Sequence, residues 1–359
     1  MTMTLIIAEA GVNHNGDETL AFELVDVAYK AGADMIKFQT FKAHNLVTEH
    51  ARQAEYQMAN TQKPESQLAM LSRLELSWDT HYALVKYCDS LGIAFLSTAF
   101  DSESLHFLVH DLGLTRLKLP SGELTNAPLV LEYARSGCDL IVSTGMASLS
   151  EIESALGVMA FGFTQPEDAV PCDAAFAEAY ISSAGQYALK KKVTLLHCTT
   201  EYPAPVDEIN LQVVDTLRAA FDLPAGYSDH SEGIFIPVAA AARGAAVIEK
   251  HFTLDKNMPG PDHKASLAPD ELTAMVIAIR QIERALGQKI KAATATESKN
   301  KSVVRKSLVA AKTIGCGECF SAQNIAIKRP GVGMSPCLYW EVIKKNATKD
   351  YQPGDLIVE

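Results

Sequence analysis

Short apolar runs of β character alternate with amphipathic helical stretches along most of this chain. Eight such runs stand in order: Leu5 to Ala8, Met35 to Phe38, Ala94 to Ser97, Arg116 to Leu119, Leu140 to Ser143, Val193 to Leu196, Gly226 to Ser228, and Ala246 to Glu249. Between many of them, apolar residues recur at helical spacing, as in Glu18 to Ala31, Trp78 to Leu91, Ser148 to Met159 and Pro269 to Leu286. Strict alternation implies parallel strands joined by right-handed crossovers. Eight units within about 280 residues suit a closed (β/α)8 TIM barrel. A doubly wound open sheet would carry a glycine-rich dinucleotide turn after its first strand. Gly11-Val12-Asn13-His14-Asn15-Gly16 lacks the G-x-G-x-x-G spacing.

The pattern changes after the last long helix. We expect the barrel to occupy residues 1–286 and residues 287–302, polar and without apolar periodicity, to form a linker. Residues 303–359 then alternate short β-like runs with turns, at Ser307 to Ala311, Gly315 to Glu318, Ile325 to Arg329 and Gly354 to Val358, and predict a small β-rich domain. Within the barrel, residues 162–190 form a long insertion ahead of the sixth strand. It reads as a loop at Phe163 to Asp168 and an added helix at Ala174 to Ala188. It belongs on the face opposite the strand carboxyl ends, in a stabilising or oligomer-contact role.

Composition narrows the classes. The hydrophobic fraction of 48% supports a large core, and the net charge of −11 without a long basic run argues against nucleic acid as the main partner. Anionic ligands must then be held by a few local cations. No uncharged apolar run approaches the roughly 20 residues of a membrane helix. The chain enters an apolar strand at once, without the basic start of an export signal, so we expect the cytoplasm. Seven scattered cysteines fit reduced thiols, and Cys316-Gly317-Glu318-Cys319 reads as small residues beside a hairpin.

In such a barrel, side chains at the strand carboxyl ends converge on one face. Here those ends carry Glu9, Lys37, Gln39, Thr98, Lys118, Ser121, Glu123, Ser143, Thr200, Tyr202, Ser228, His230, Glu249 and His251. Two lysines at convergent strand ends among hydroxyls suit a phosphate and a carboxylate. His230 and His251, at adjacent strand ends, form a candidate metal pair, although imidazoles alone do not choose among manganese, zinc, iron and nickel. Glu9, Glu123 and Glu249 read either as partners of the lysines or as hydroxyl acceptors and general bases. Asp262, in a proline-flanked loop after the last strand, reads as a polyol ligand or a solvated turn residue.

In order along the chain, these motifs resemble those of the sialic acid synthases. The likeness includes Ile7-Ala8-Glu9-Ala10-Gly11-Val12-Asn13-His14-Asn15-Gly16, Ile36-Lys37-Phe38-Gln39-Thr40, Ala54-Glu55-Tyr56-Gln57, Ser97-Thr98-Ala99-Phe100-Asp101 and Lys118-Leu119-Pro120-Ser121-Gly122-Glu123. It continues through Ser143-Thr144-Gly145-Met146, His197-Cys198-Thr199-Thr200-Glu201-Tyr202-Pro203, Ser228-Asp229-His230, Glu249-Lys250-His251 and Gly260-Pro261-Asp262. The resemblance implies an enzyme that condenses phosphoenolpyruvate with an N-acylated hexosamine. It implies a divalent ion on His230 and His251, manganese first and magnesium or cobalt as alternatives. Lys37, Thr98, Lys118, Ser121, Ser143 and Ser228 match phosphoenolpyruvate-binding positions. Glu9, Gln39, Tyr202 and Asp262 match sugar-binding positions, and Glu123 and Glu249 match catalytic or water-orienting ones. Thr200 stands where some members have asparagine.

Residues 303–359 resemble the antifreeze-like (SAF) module of these synthases, through Lys328-Arg329-Pro330-Gly331-Val332-Gly333. The resemblance implies a domain-swapped homodimer in which Arg329 reaches the N-acyl group in the partner's barrel. The implied reaction is metal-assisted attack of phosphoenolpyruvate on the open-chain sugar aldehyde, with C–O cleavage releasing phosphate. N-acetylmannosamine is the expected sugar, giving N-acetylneuraminate. The alternatives are 2,4-diacetamido-2,4,6-trideoxymannose, giving N,N'-diacetyllegionaminate or a related nonulosonate, and a non-catalytic carbohydrate-binding scaffold.

Overall fold

A computed structural model describes residues 3–61 and 65–358. Eight parallel strands close into a barrel in chain order: β1 (Leu5–Gly11), β2 (Met35–Thr40), β3 (Ala94–Ala99), β4 (Arg116–Leu119), β5 (Asp139–Ser143), β6 (Val193–His197), β7 (Ala225–Asp229) and β8 (Val247–His251). Closure runs through β1 and β8, with Glu9 opposite His251. β1 also bulges between Glu9 and Gly11, which face Lys37 and Phe38 of β2. Gly11 has φ +54, and a Cβ there would sit 3.2 Å from His251 Cε1, so glycine suits both the bend and the close approach.

Strand side chains alternate between the barrel interior and the surrounding helices. Outward residues such as Ala8, Phe38, Leu119 and Val142 join the main core beneath the helices. Inward residues Ile7, Met35, Leu96, Ile141, Leu196 and Val247 form a separate apolar floor. Two residues further along the same strands stand Glu9, Lys37, Thr98, Ser143, Cys198 and Glu249. The period of two thus turns an apolar plug into a polar mouth within one layer of side chains.

The helices begin and end where local chemistry favours it. Asp17 caps Glu18–Ala31 by accepting from the Thr19 and Leu20 amides, and Gly32 closes it at φ +79. Ser77 and Gly92 do the same for Trp78–Leu91. Ser148 and Glu151 form a capping box on Leu149–Thr164, which extends past Met159 and takes in Phe163 and Thr164, residues expected in a loop. The added helix is split, into Asp173–Ile181 and Ser183–Lys192, because Ser182 caps the second piece.

The chain divides into two compact units, Met1–Gly287 and Gln288–Glu359. The helix Ala295–Val304, started by a Thr294/Glu297 capping box, takes up half of the expected linker and runs two residues past its bound at 302. It has no buried face, so apolar periodicity could not reveal it. In the second unit β9 (Ser307–Ala310) pairs antiparallel with β10 (Ile325–Lys328). The expected strand at Gly315 to Glu318 is instead a turn, flanked by isolated bridges from Ile314 to Tyr351 and from Cys319 to Asn346, and the one at Gly354 to Val358 is reduced to a single bridge from Leu356 to Val309. Leu308, Ile314, Phe320, Ile325, Tyr351 and Ile357 contribute to its core. Among the described residues, no helix is long and apolar enough to cross a membrane.

Candidate functional site

The carboxyl ends of the strands surround a cavity of about 180 Å³. Its lining includes Glu9, Lys37, Gln39, Thr98, Lys118, Ser121, Ser143, Thr200, Tyr202, Ser228, His230, Glu249 and His251, all singled out from sequence. It also includes Phe100, Pro120, Gly122 and Cys198, which were not. Cys198 lies two residues beyond the floor residue Leu196, so strand periodicity alone could have flagged it. Its sulfur is 3.2 Å from Ser121 Oγ.

Both lysines are almost fully buried and lie between anions and hydroxyls. Lys37 Nζ stands 2.8 Å from Glu9 Oε2 and 3.7 Å from Glu249 Oε2, and donates to Thr98 Oγ1 at 3.0 Å. Lys118 Nζ stands 3.4 Å from Glu249 Oε1 and donates to Ser143 Oγ at 2.7 Å. Ser228 Oγ donates to Glu249 Oε1 at 2.7 Å. The same positions therefore satisfy both readings of the glutamates, as ion partners and as substrate-facing oxygens.

Burial separates the two inner carboxylates. Glu9 is pushed up to about 7 by loss of solvent, only partly opposed by Lys37. Burial would also raise Glu249, but Lys118, Lys37 and the Ser228 hydroxyl together outweigh it and bring that carboxyl down to about 2. Burial works against the charge on Lys118 and lowers it. At neutral pH the site thus holds one firmly ionised carboxylate and one that exchanges a proton readily.

The histidine pair has a distinct environment. His230 Nδ1 lies 2.6 Å from the Thr199 carbonyl, so it is the protonated nitrogen and leaves an Nε2 lone pair facing the Tyr202 hydroxyl at 3.1 Å. Tyr202 stacks on His230 at 4.1 Å between ring centroids and meets His251 edge-on at 5.5 Å. The two imidazoles lie 5.6 Å apart, centroid to centroid. Burial lowers His230 to about 4 and His251 well below its ordinary value, so both are neutral bases at pH 7. His251 Nδ1 is buried with no hydrogen-bond partner.

The unpartnered His251 Nδ1, together with a His230 Nε2 lone pair held only by the Tyr202 and Ser228 hydroxyls, fits a divalent cation that would displace those hydroxyls. Among the described residues, no group of three or more His, Cys, Asp or Glu could hold a metal ion. Asp262 lies beside the pair, its Oδ2 4.0 Å from His251 Nδ1, and burial raises it to about 6. It is 7% exposed, which removes the reading as a solvated turn residue.

Two candidate residues fall outside this constellation. Glu123 does not line the cavity and accepts from Asn126 Nδ2 at 2.7 Å beside the short helix Ser121–Glu123. Arg329 belongs to the second unit, is exposed, and donates from Nε to the Val304 carbonyl at 3.0 Å. The side chains of Glu55 and Tyr56, in the motif at Ala54 to Gln57, lie outside what is described. Cys316 and Cys319 are free, exposed thiols.

A barrel with two buried lysines, directed hydroxyls and a neutral histidine pair at its mouth defines an enzyme site for a strongly anionic substrate. The NeuB family model matches residues 24–291. The chain is 50% identical, over the full length of both, to the N,N'-diacetyllegionaminic acid synthase of Campylobacter jejuni. It is 41% identical to that of Legionella pneumophila, covering 98% of this chain and 93% of the relative. Among solved structures, N-acetylneuraminic acid synthetase from Leptospira borgpetersenii, in complex with citrate, superposes with a TM-score of 0.66. That match has 32% identity and covers 83% of this chain and 90% of the other. The chain belongs to the NeuB family, the phosphoenolpyruvate-condensing nonulosonate synthases.

Proposed function

We propose that this enzyme condenses phosphoenolpyruvate with 2,4-diacetamido-2,4,6-trideoxymannose to give N,N'-diacetyllegionaminate and phosphate. The observation that carries the choice of sugar is the 50% identity, end to end, with a synthase of that product. The resemblance carried by the motifs implies N-acetylmannosamine instead. Full-length likeness weighs more, because the lysines and hydroxyls of the mouth suit the anionic substrate and do not distinguish one N-acylated sugar from another.

Lys37 and Lys118 neutralise the carboxylate and phosphate of phosphoenolpyruvate, with Thr98, Ser121, Ser143 and Ser228 donating to its oxygens. Tyr202, Gln39, Asp262 and Thr200 border the sugar. His230 and His251 would hold a divalent ion, manganese by the family resemblance, which would supply Lewis acidity toward the sugar's carbonyl group. The enol carbon attacks the aldehyde carbon, water adds to the cationic carbon left behind, and the hemiketal phosphate collapses with C–O cleavage. Ionised Glu249 orients that water, and Glu9, balanced near neutrality, carries the proton. Glu123, outside the cavity wall, has the weaker claim to either role. Arg329 serves the N-acyl group of a partner's substrate in a domain-swapped dimer.

Incubation with the diacetamido sugar and phosphoenolpyruvate labelled with ¹⁸O at its bridging oxygen tests this reading. Labelled phosphate and an unlabelled keto acid with the mass of N,N'-diacetyllegionaminate are expected. Absence of phosphate release with that sugar would sink the assignment.

A further inference from the structure

Strand alternation sends Ser228 and Glu249 into the cavity and their neighbours Asp229 and Lys250 outward, beneath the helices. Outward positions elsewhere in the barrel are apolar, as at Ala8, Phe38, Leu119 and Val142, or carry uncharged hydroxyls, as at Thr40 and Ser97. Here instead a carboxylate and an ammonium face each other at 2.7 Å, both side chains 0% exposed, on residues paired in register between β7 and β8. Asp229 Oδ1 also accepts from the Ser231 amide at 2.9 Å and the Ser231 hydroxyl at 2.7 Å. Lys250 Nζ donates in addition to the Ser231 carbonyl. Lys250 therefore grips both residues that flank His230, and its own next residue is His251.

We propose that Asp229 and Lys250 act as a positioning clamp, holding His230 and His251 at the separation a divalent ion requires. A buried ion pair adds little net stability over apolar residues of equal volume, because desolvation offsets the attraction. What it adds is geometry: the pair fixes the register of two strands at the one point where both carry an imidazole. On the cavity side, Ser228 Oγ to Glu249 Oε1 ties the same strands together. Neither clamp residue touches the ion. The inference rests on the histidine pair binding metal, and its test separates the two ideas.

The full-length double variant Asp229→Leu/Lys250→Met removes both charges together, so neither is left buried alone, and releases the Ser231 amide, hydroxyl and carbonyl from the clamp. Lys250→Arg keeps the charge as a rescue. Two readings are taken: hydrogen exchange of metal-free protein across the peptides holding His230 and His251, and Mn²⁺ affinity by electron paramagnetic resonance. The clamp predicts cooperative melting within a few degrees of the parent. It predicts exchange at least about tenfold faster in those two peptides alone, and Mn²⁺ affinity about 10- to 100-fold weaker, largely restored by arginine. A folded double variant with Mn²⁺ affinity within twofold of the parent, or with unchanged local exchange, would overturn it. A parent that binds Mn²⁺ no better than His230→Ala would refute the metal reading instead. The clamp would then be decided by exchange alone.

Discussion

Lys37 Nζ lies 2.8 Å from Glu9 Oε2, inside a cavity where each side chain is nearly free of solvent. One ammonium thus stabilises Glu9 and, at 3.7 Å, Glu249. Replacing Lys37 by methionine leaves two carboxylates facing each other and removes a cation from the phosphoenolpyruvate site. We expect kcat/KM for phosphoenolpyruvate to fall at least about 100-fold, with stability lower by about 3 kcal/mol. Steady-state kinetics and a urea melt measure both.

Glu9 confers a pH dependence of definite sign. Its carboxyl, raised to about 7, is protonated below that pH and adds a negative charge beside Lys37 above it. An anionic substrate is then repelled. The KM for phosphoenolpyruvate should rise about tenfold between pH 6 and 8, and Glu9→Gln should flatten that rise. A parent profile flat across this range would remove Glu9 from the proton balance.

Stability should fall in mild acid. His14, His230 and His263 are lowered to about 4, and His81, His197 and His251 are also lowered, in each case first by burial. Each contributes stability that is present above the ordinary value near 6.5 and lost as pH drops toward 4, because the unfolded ring binds a proton that the folded one refuses. Glu9 and Asp262, with raised values, act in the opposite sense in that window but are fewer. Denaturant midpoints of the metal-free protein should decline steadily from pH 6.5 to 4.5.

Gly145 tests the hydroxyl side of the site. Its amide donates to Ser121 Oγ at 2.9 Å, and an added Cβ would sit 2.5 Å from Thr200 Oγ1 and 2.9 Å from Cys198 Sγ. Gly145→Ala should displace these side chains at a stability cost of about 1–3 kcal/mol. It should raise the KM for phosphoenolpyruvate about tenfold or more. A parental KM in this variant would take the hydroxyl cluster out of substrate binding.

Most of the barrel was legible because β/α alternation is strong, and three helices, Glu18–Ala31, Trp78–Leu91 and Pro269–Leu286, match their expected bounds. The cavity lining was legible for the same reason: residues two beyond the apolar floor must face the same lumen. What sequence missed depends on partners rather than period. Nothing local marks the Asp229–Lys250 pair, since an outward charge becomes notable only once its neighbours are known to be buried. Helix Ala295–Val304 has a cap but no apolar face, and Glu123 carries the family motif without reaching the cavity.

The choice of sugar is tested most directly by kcat/KM measured side by side for 2,4-diacetamido-2,4,6-trideoxymannose and N-acetylmannosamine, with phosphoenolpyruvate saturating and Mn²⁺ present. The account predicts at least about a 100-fold preference for the diacetamido sugar, as expected where buried polar groups are matched to one substrate and left unpaired by the other. An equal or greater value for N-acetylmannosamine would contradict it.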